Sequence, residues 1–154
     1  MDGYGCYAPV IKTALDKIFA NTYYTAENIT GLSLPELCSK YIDNNIPVIV
    51  WATMEMQTPW ISKTWTAWTG RKIQWVAPEH CLLLVGYDDY FYYFNDPRDS
   101  KARTYYRKEA VDRAYKAQGN QAVVIQADAR TAREWKVRQV LSAFEMVKDK
   151  LPSG

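Results

Sequence analysis

The chain has 154 residues, of which 48% are hydrophobic, so it is long enough for one domain with a buried core of ordinary size. Nineteen basic and seventeen acidic side chains leave a formal charge of +2, without a run of like charges that would favour nucleic acid as a partner. Three cysteines without a CxxC spacing and a single histidine argue against a disulfide framework and a metal site, and we expect no cofactor.

The sequence has no apolar stretch long enough to span a membrane, and no basic and then apolar leader follows Met1. We therefore expect neither a membrane span nor a signal peptide, and the compartment stays open. The aromatic content is high, with six Trp and twelve Tyr concentrated in residues 51–75 and 87–93. Four tryptophans could line a peptide or glycan cleft, although such clusters more often close the edge of a core. They are Trp60, Trp65, Trp68 and Trp75.

The first half of the chain predicts two helices and a central strand. Residues 8–20 combine a proline in the first turn with apolar side chains every three or four positions, which is typical of a helix that packs on a sheet. A second helix is predicted from Ser33, which can cap it while Glu36 stands three residues on, to about residue 45. Residues 47–54 form a nearly continuous apolar run, which indicates a strand buried on both sides.

Residues 55–72 lack a clean period and are predicted to form an ordered loop. The second half then predicts strands, a short helix and a last strand, which together give a mostly antiparallel sheet. These elements are strands 73–76, 81–87 and 90–95, helix 107–117 and strand 121–126. The sequence thus predicts one domain over residues 1–128, followed in residues 129–154 by an amphipathic helix that packs on the domain or on a partner.

His80 and Asp96 stand near the outer ends of two predicted strands, with Asp88 and Asp89 midway between them. A two-residue turn at these aspartates would place Asp96 opposite Cys81 and diagonally beside His80. A carboxylate next to an imidazole fixes its tautomer and stabilises the imidazolium, as a general base serving a thiol requires. Spacing alone leaves the alternative open that His80 is a structural histidine and that Asp96 caps the turn that follows it.

The segment EHCLLLVGYDDYFYYFNDP, residues 79–97, resembles the His and Asp block of the bacterial papain-like cysteine peptidases related to the double-glycine leader peptidases. The order of further blocks, GYGCYAPVI, PVIVWATM, the Trp-rich segment and GNQAVVI, extends this resemblance over about residues 3–126 to an uncharacterised bacterial branch. The resemblance implies an α+β papain-like fold, an antiparallel sheet packed by helices, and a peptide or protein substrate. It also implies that His80 is the base and Asp96 its orienting carboxylate. Relatives in this group are commonly exported.

The nucleophile is where the sequence departs from the family pattern. The family's LPTGCE-like block and its oxyanion-hole glutamine precede the segment that GYGCYAPVI resembles, and neither has a counterpart here, so we expect an N-terminally truncated version of the fold. Cys6 is the substitute in a suitable setting, because it precedes a helix whose N-terminal end would favour a thiolate; the alternative is structural burial. Cys38 and Cys81 are weaker candidates, since one lies on the inner face of a helix and the other should point away from His80.

Three hypotheses for function follow. The chain is a cysteine peptidase with Cys6, His80 and Asp96 as its catalytic residues, or a silent relative that binds peptides or proteins, or a fragment of a longer enzyme. A missing first helix would leave one face of the sheet bare. The amphipathic segment 131–150 could cover that face, or a second copy of the chain could.

Overall fold

The structure is a computed structural model, which describes residues 5–99, 103–127, 133–134, 136–138 and 140–142. Its elements up to residue 127 are α1 (Ala8–Phe19), β1 (Tyr24–Asn28), α2 (Leu34–Lys40), β2 (Val48–Thr53), β3 (Trp60–Thr66), β4 (Lys72–Ala77), β5 (Glu79–Tyr87), β6 (Phe91–Asn95), β7 (Thr104–Arg107), α3 (Lys108–Ala117) and β8 (Ala122–Ala127). Short 3-10 turns at Ile42–Asn44 and Met54–Met56 precede and follow β2.

Six of these strands form one sheet in the order β1-β8-β2-β5-β6-β7, and every neighbouring pair is antiparallel. Within the described part of the chain, the strands β3 and β4 pair only with each other and form a separate two-stranded ribbon. The α+β class and the antiparallel sheet predicted from the sequence are therefore confirmed.

One face of the large sheet packs against α2 and α3 and forms the main core. Its largest fully buried side chains come from both helices and from the central strands, among them Leu37, Val50, Leu84, Phe94 and Tyr115. The predicted central strand is confirmed as β2, in which every residue except Ile49 is buried. The position of β2 between β8 and β5 explains its continuous apolar run, since residues 48–50 are paired on both edges and five of its six residues are buried.

Among the described residues, α1 covers only part of the opposite face of the sheet. The helix α1 packs over β1 and β8, where Ala8, Trp51 and Val123 are buried together. Beyond α1, the side chains of Ile49, Cys81 and Leu83 remain partly exposed on the same face. This strip of the sheet is called the open face below.

Helix boundaries follow the signals read from the sequence. The helix α2 begins after Ser33, whose hydroxyl accepts from the Glu36 N–H while the Glu36 carboxylate accepts from the Ser33 N–H at 2.8 Å, so the predicted capping box is present. It ends at Lys40, earlier than predicted, and the chain continues as the 3-10 turn. The prediction of helix 8–20 is confirmed as α1.

Three strands were not predicted. The interpretation of residues 55–72 as a loop was wrong, because β3 lies inside this range, and β1 and β7 had no predicted counterpart. In β3 all seven residues are exposed, so no alternation of buried and exposed positions marks it in the sequence. The strands β1 and β7 are short and lie at the two edges of the sheet, where burial imposes little pattern.

The predicted C-terminal helix lies partly outside the described residues. Residues 133–134, 136–138 and 140–142 are helical, and within them Val137, Val140 and Leu141 are exposed. Whether this segment packs on the domain or on a partner stays a prediction. Within the described ranges, no helix is both long and apolar enough to cross a membrane.

Candidate active site

The hairpin that places His80 and Asp96 turns one residue later than predicted. The Asp88 N–H donates to the Phe91 carbonyl at 3.0 Å, so the two turn residues are Asp89 and Tyr90. The Asp88 carboxylate holds this turn by accepting from the Tyr90 and Phe91 N–H groups, both at 2.7 Å. A hydrogen bond from the Tyr93 hydroxyl and those two backbone bonds lower the pKa of Asp88. The first aspartate thus caps the turn and is not one of its two central residues.

A β-bulge between Leu84 and Gly86 then shifts the pairing of β5 with β6 by one residue. On the side of the bulge away from the turn, Leu83 is paired with Asn95. The next residue, Asp96, therefore aligns with Leu82. Successive side chains of a strand alternate between faces, and Leu82 stands two residues from His80. The predicted register, with Asp96 opposite Cys81, was therefore wrong, and the bulge is what brings Asp96 to the same side of the sheet as His80.

The structure joins His80 and Asp96 directly. The Nε2 atom of His80 lies 2.8 Å from Oδ1 of Asp96, and only 13% of the histidine side chain and 8% of the aspartate side chain are exposed. The same Oδ1 accepts from the Arg98 N–H at 2.9 Å, and the Asp99 N–H donates to the Asp96 carbonyl at 3.1 Å. Asp96 therefore both contacts the imidazole and caps the turn that follows β6.

This arrangement assigns the two ring nitrogens of His80 different roles. A carboxylate only accepts hydrogen bonds, so the Nε2 atom facing it bears the proton, and the tautomer inferred from this contact leaves a lone pair on Nδ1. No residue in the described part of the chain forms a hydrogen bond with Nδ1. An imidazole oriented by a carboxylate on one side, with a basic nitrogen on the other, is chemically able to accept a proton from a thiol.

The three cysteines lie in different surroundings. Cys6 is exposed just before α1, and its carbonyl accepts from the Trp51 indole N–H at 2.9 Å. Burial raises the pKa of both Cys38 and Cys81 to about 11, so both are neutral thiols at physiological pH. Cys81 lies on the open face, as predicted, on the other side of the sheet from His80.

The structure does not join Cys6 to His80. Within the part of the chain that is described, no hydrogen bond links the Cys6 thiol to the imidazole. Of the three predicted catalytic residues, His80 and Asp96 are thus joined by a hydrogen bond, and Cys6 is joined to neither of them among the described residues.

Glu79, next to His80, is a feature of this region that sequence reasoning missed. Its carboxylate accepts from the Trp75 indole N–H at 3.0 Å and from the Tyr7 hydroxyl, and burial raises its pKa despite these two donors. The backbone of Gly5 passes so close that a Cβ there would clash with the carboxylate, at 2.5 Å from Oε1. These contacts fix the segment before α1 beside the start of β5. Tyr7 is remote from Glu79 in sequence, so no local pattern reveals the contact.

An apolar groove of about 400 Å³ opens on the sheet and reaches Asp96. It extends from the open face to the turn after β6. Its lining consists of Ile49, Cys81, Leu82, Leu83, Asn95, Asp96 and Pro97. Asp96 therefore belongs both to the histidine pair and to the end of the groove. No group of three or more metal-ligating side chains occurs among the described residues.

Comparisons with known proteins agree with this architecture. Over 105 residues the chain is 31% identical to the uncharacterised protein YvpB of Bacillus subtilis strain 168, an alignment that covers 67% of this chain and 41% of YvpB. The fold is similar to the crystal structure of a Bacillus anthracis protein described as a C39-like peptidase. The two have a TM-score of 0.70 and 24% identity, over 82% of this chain and 62% of the other. The chain thus spans less than two thirds of either relative. The model of the Peptidase_C39 like family matches residues 1–123, and the chain belongs to that family.

Proposed function

We propose that this chain contains the histidine and carboxylate half of a cysteine peptidase site and acts in peptide-bond hydrolysis. The observation that supports the proposal most directly is the 2.8 Å contact between His80 Nε2 and Asp96 Oδ1, which leaves the basic Nδ1 available. Membership of the Peptidase_C39 like family supports the same reading of the pair.

The proposed reaction uses these groups in two stages. Nδ1 of His80 takes the proton of a thiol, the thiolate attacks the peptide carbonyl, and the imidazolium returns the proton to the leaving amine. Water then cleaves the thioester, with His80 as the base again, which releases the carboxylic acid and restores the thiol. Asp96 holds the ring through Nε2 and stabilises the imidazolium in both stages.

Within this chain, Cys6 is the cysteine whose surroundings best suit a nucleophile. It is exposed and stands just before the N-terminal end of a 12-residue helix, whereas burial suppresses ionisation of Cys38 and Cys81. The contacts of Glu79 with Tyr7 and Gly5 fix the neighbouring backbone close to the start of β5. In this proposal Cys6 supplies the thiol whose proton Nδ1 of His80 accepts.

Alkylation with iodoacetamide at mildly acidic pH tests the proposal, because only an activated thiol reacts quickly there. We expect the wild-type chain to be labelled at Cys6 at least about tenfold faster than the His80→Ala variant, and the Cys6→Ser variant to lose the fast reaction. Cys38 and Cys81 serve as internal controls, since both should stay unlabelled in the folded protein. Equal, slow labelling of Cys6 in the wild type and in His80→Ala would remove the enzymatic role of this chain.

A second candidate function is binding without catalysis. Two observations favour it. No hydrogen bond joins Cys6 to His80 within the described residues, and an apolar groove ends at Asp96. In this case the chain binds an apolar peptide segment in the groove, and the pair serves as framework. A peptide affinity that survives His80→Ala but is lost in Leu83→Arg, with slow Cys6 labelling throughout, would select this alternative.

A further inference from the structure

The β3–β4 ribbon pairs with no strand of the six-stranded sheet among the described residues, and the turn at its tip contains an exposed tryptophan. All seven residues of β3 are exposed. The tip is a turn at residues 67–70, closed by hydrogen bonds from the Ala67 N–H to the Arg71 carbonyl and from the Gly70 N–H to the Ala67 carbonyl. Trp68 in this turn is 98% exposed, so it makes almost no contact with the rest of the protein.

Further large apolar side chains are exposed along the ribbon below this tip. Trp60 is 51% exposed, Ile61 is 54% exposed and Trp65 is 37% exposed. A group of exposed aromatic and aliphatic side chains on one element marks an interaction surface, because isolated exposed apolar residues are common but clusters of them are not. The amphipathic indole ring is favoured where an apolar layer meets water.

The charge of the ribbon is as distinctive as its aromatic content. Residues 60–77 contain Lys63, Arg71 and Lys72 and no acidic residue. Elsewhere in the chain the remaining sixteen basic side chains are outnumbered by the seventeen acidic ones. The excess positive charge of the protein is therefore located on this ribbon, and two of its three cations directly follow the turn that holds Trp68.

We propose that the tip of the β3–β4 ribbon binds the surface of a membrane rich in anionic lipids. Trp68 enters the interface between headgroups and acyl chains, and Lys63, Arg71 and Lys72 bind the lipid phosphates. A membrane fits better than a soluble polyanion, because a polyanion alone would leave the apolar surface of the fully exposed tip without a layer to enter. The strand β4 leads directly into β5, so binding would hold the end of the sheet that contains His80 toward the membrane.

Co-sedimentation with lipid vesicles tests this proposal independently of any peptidase activity. We expect the full chain to bind vesicles of phosphatidylglycerol and phosphatidylcholine and not to bind vesicles of phosphatidylcholine alone. The affinity should fall as the salt concentration is raised. Trp68→Ala should weaken binding roughly tenfold. Replacing Lys63, Arg71 and Lys72 by Gln should weaken it roughly a hundredfold, since each cation contributes about a fivefold factor.

Two control variants test whether vesicle binding depends on this surface in particular or on any exposed aromatic side chain and any positive charge. Tyr90→Ala removes another aromatic side chain from a hairpin turn. Tyr90 is 69% exposed but follows the acidic residues Asp88 and Asp89, so this variant should leave vesicle binding unchanged. A triple exchange of the exposed helical lysines Lys17, Lys40 and Lys116 to Gln removes the same charge elsewhere and should have a much smaller effect. Thermal unfolding of each variant checks that the fold is intact.

Three results would overturn the proposal. They are the absence of binding to the anionic vesicles, binding that does not change in Trp68→Ala, and a triple lysine control that weakens binding as much as the ribbon variant does. Equal binding to a soluble polyanion such as heparin, unaffected by Trp68→Ala, would assign the ribbon to that class of partner instead.

Discussion

A double-mutant cycle between His80 and Asp96 measures the contact on which the site is built. Asp96→Ala removes two hydrogen bonds to one carboxylate, from the imidazole at 2.8 Å and from the Arg98 N–H at 2.9 Å. A hydrogen bond to a charged group is worth about 1.5 kcal/mol or more, so Asp96→Ala should lower the free energy of unfolding by about 3 kcal/mol. His80→Ala removes only the first of these bonds and should cost about 1.5 kcal/mol, together with the lost packing of a ring that is 13% exposed.

The double variant isolates the shared bond, because the Arg98 contact is absent in both backgrounds that lack Asp96. Urea unfolding at neutral pH should give a coupling energy of about 1.5 kcal/mol between the two residues. Asp96→Asn is the conservative control, since an amide oxygen can still accept from both donors, and it should lose less than half as much stability as Asp96→Ala. A coupling energy below about 0.3 kcal/mol would refute the reasoning, because the two side chains would then not be bonded in solution.

Three more predictions concern the surroundings of the pair. Burial raises the pKa of Glu79 above its ordinary value of 4.5, so the folded chain keeps a proton that the unfolded chain releases, and stability falls as pH rises through that interval. Glu79→Gln has no carboxylate to ionise, so in urea unfolding its stability relative to wild type should improve from acidic to neutral pH. If the difference in free energy of unfolding between the two proteins did not change with pH, the predicted direction of the pKa shift would be wrong. Ser33→Ala breaks the capping box and should cost about 1 kcal/mol in thermal unfolding, whereas Ser39→Ala in the last turn of α2 should cost little. The sequence analysis leaves open that a second copy of the chain covers the open face. If so, sedimentation should show a dimer that Leu83→Arg converts to a monomer, and a monomeric wild-type protein would exclude this dimer.

The elements that could be predicted from the sequence are those in which burial leaves a pattern. The continuous apolar run of β2 follows from its place in the middle of the sheet, and the spacing in α1 follows from a helix with one face on the sheet. The ribbon strand β3 has no buried face, so its sequence shows no period, and it was interpreted as a loop. A strand could thus be predicted from the sequence where one or both of its faces are buried, whatever the intrinsic β-propensity of its residues.

The proximity of His80 and Asp96 could be predicted from the sequence, but the pairing register of β5 with β6 could not. His80 lies on the first strand of a hairpin and Asp96 directly follows the second, so a local argument about the turn is enough to place them near each other. The bulge before Gly86 and the capping role of Asp88 are what fix the true register, and neither follows from hydrophobic pattern. The contact of Tyr7 with Glu79 joins residues from distant parts of the chain, and only the folded structure reveals it.

The pair itself does not decide between catalysis and binding, because Asp96 has two roles in this structure. Its carboxylate caps the turn after β6 through the Arg98 N–H and orients His80 through Nε2, so a chain without peptidase activity would still need it for folding. A structural role uses only the Nε2 side of the imidazole, whereas a general base must also present Nδ1 to a thiol. The distinction therefore lies at Nδ1, and the reactivity of Cys6 with His80 present and absent is the measurement that reports on it.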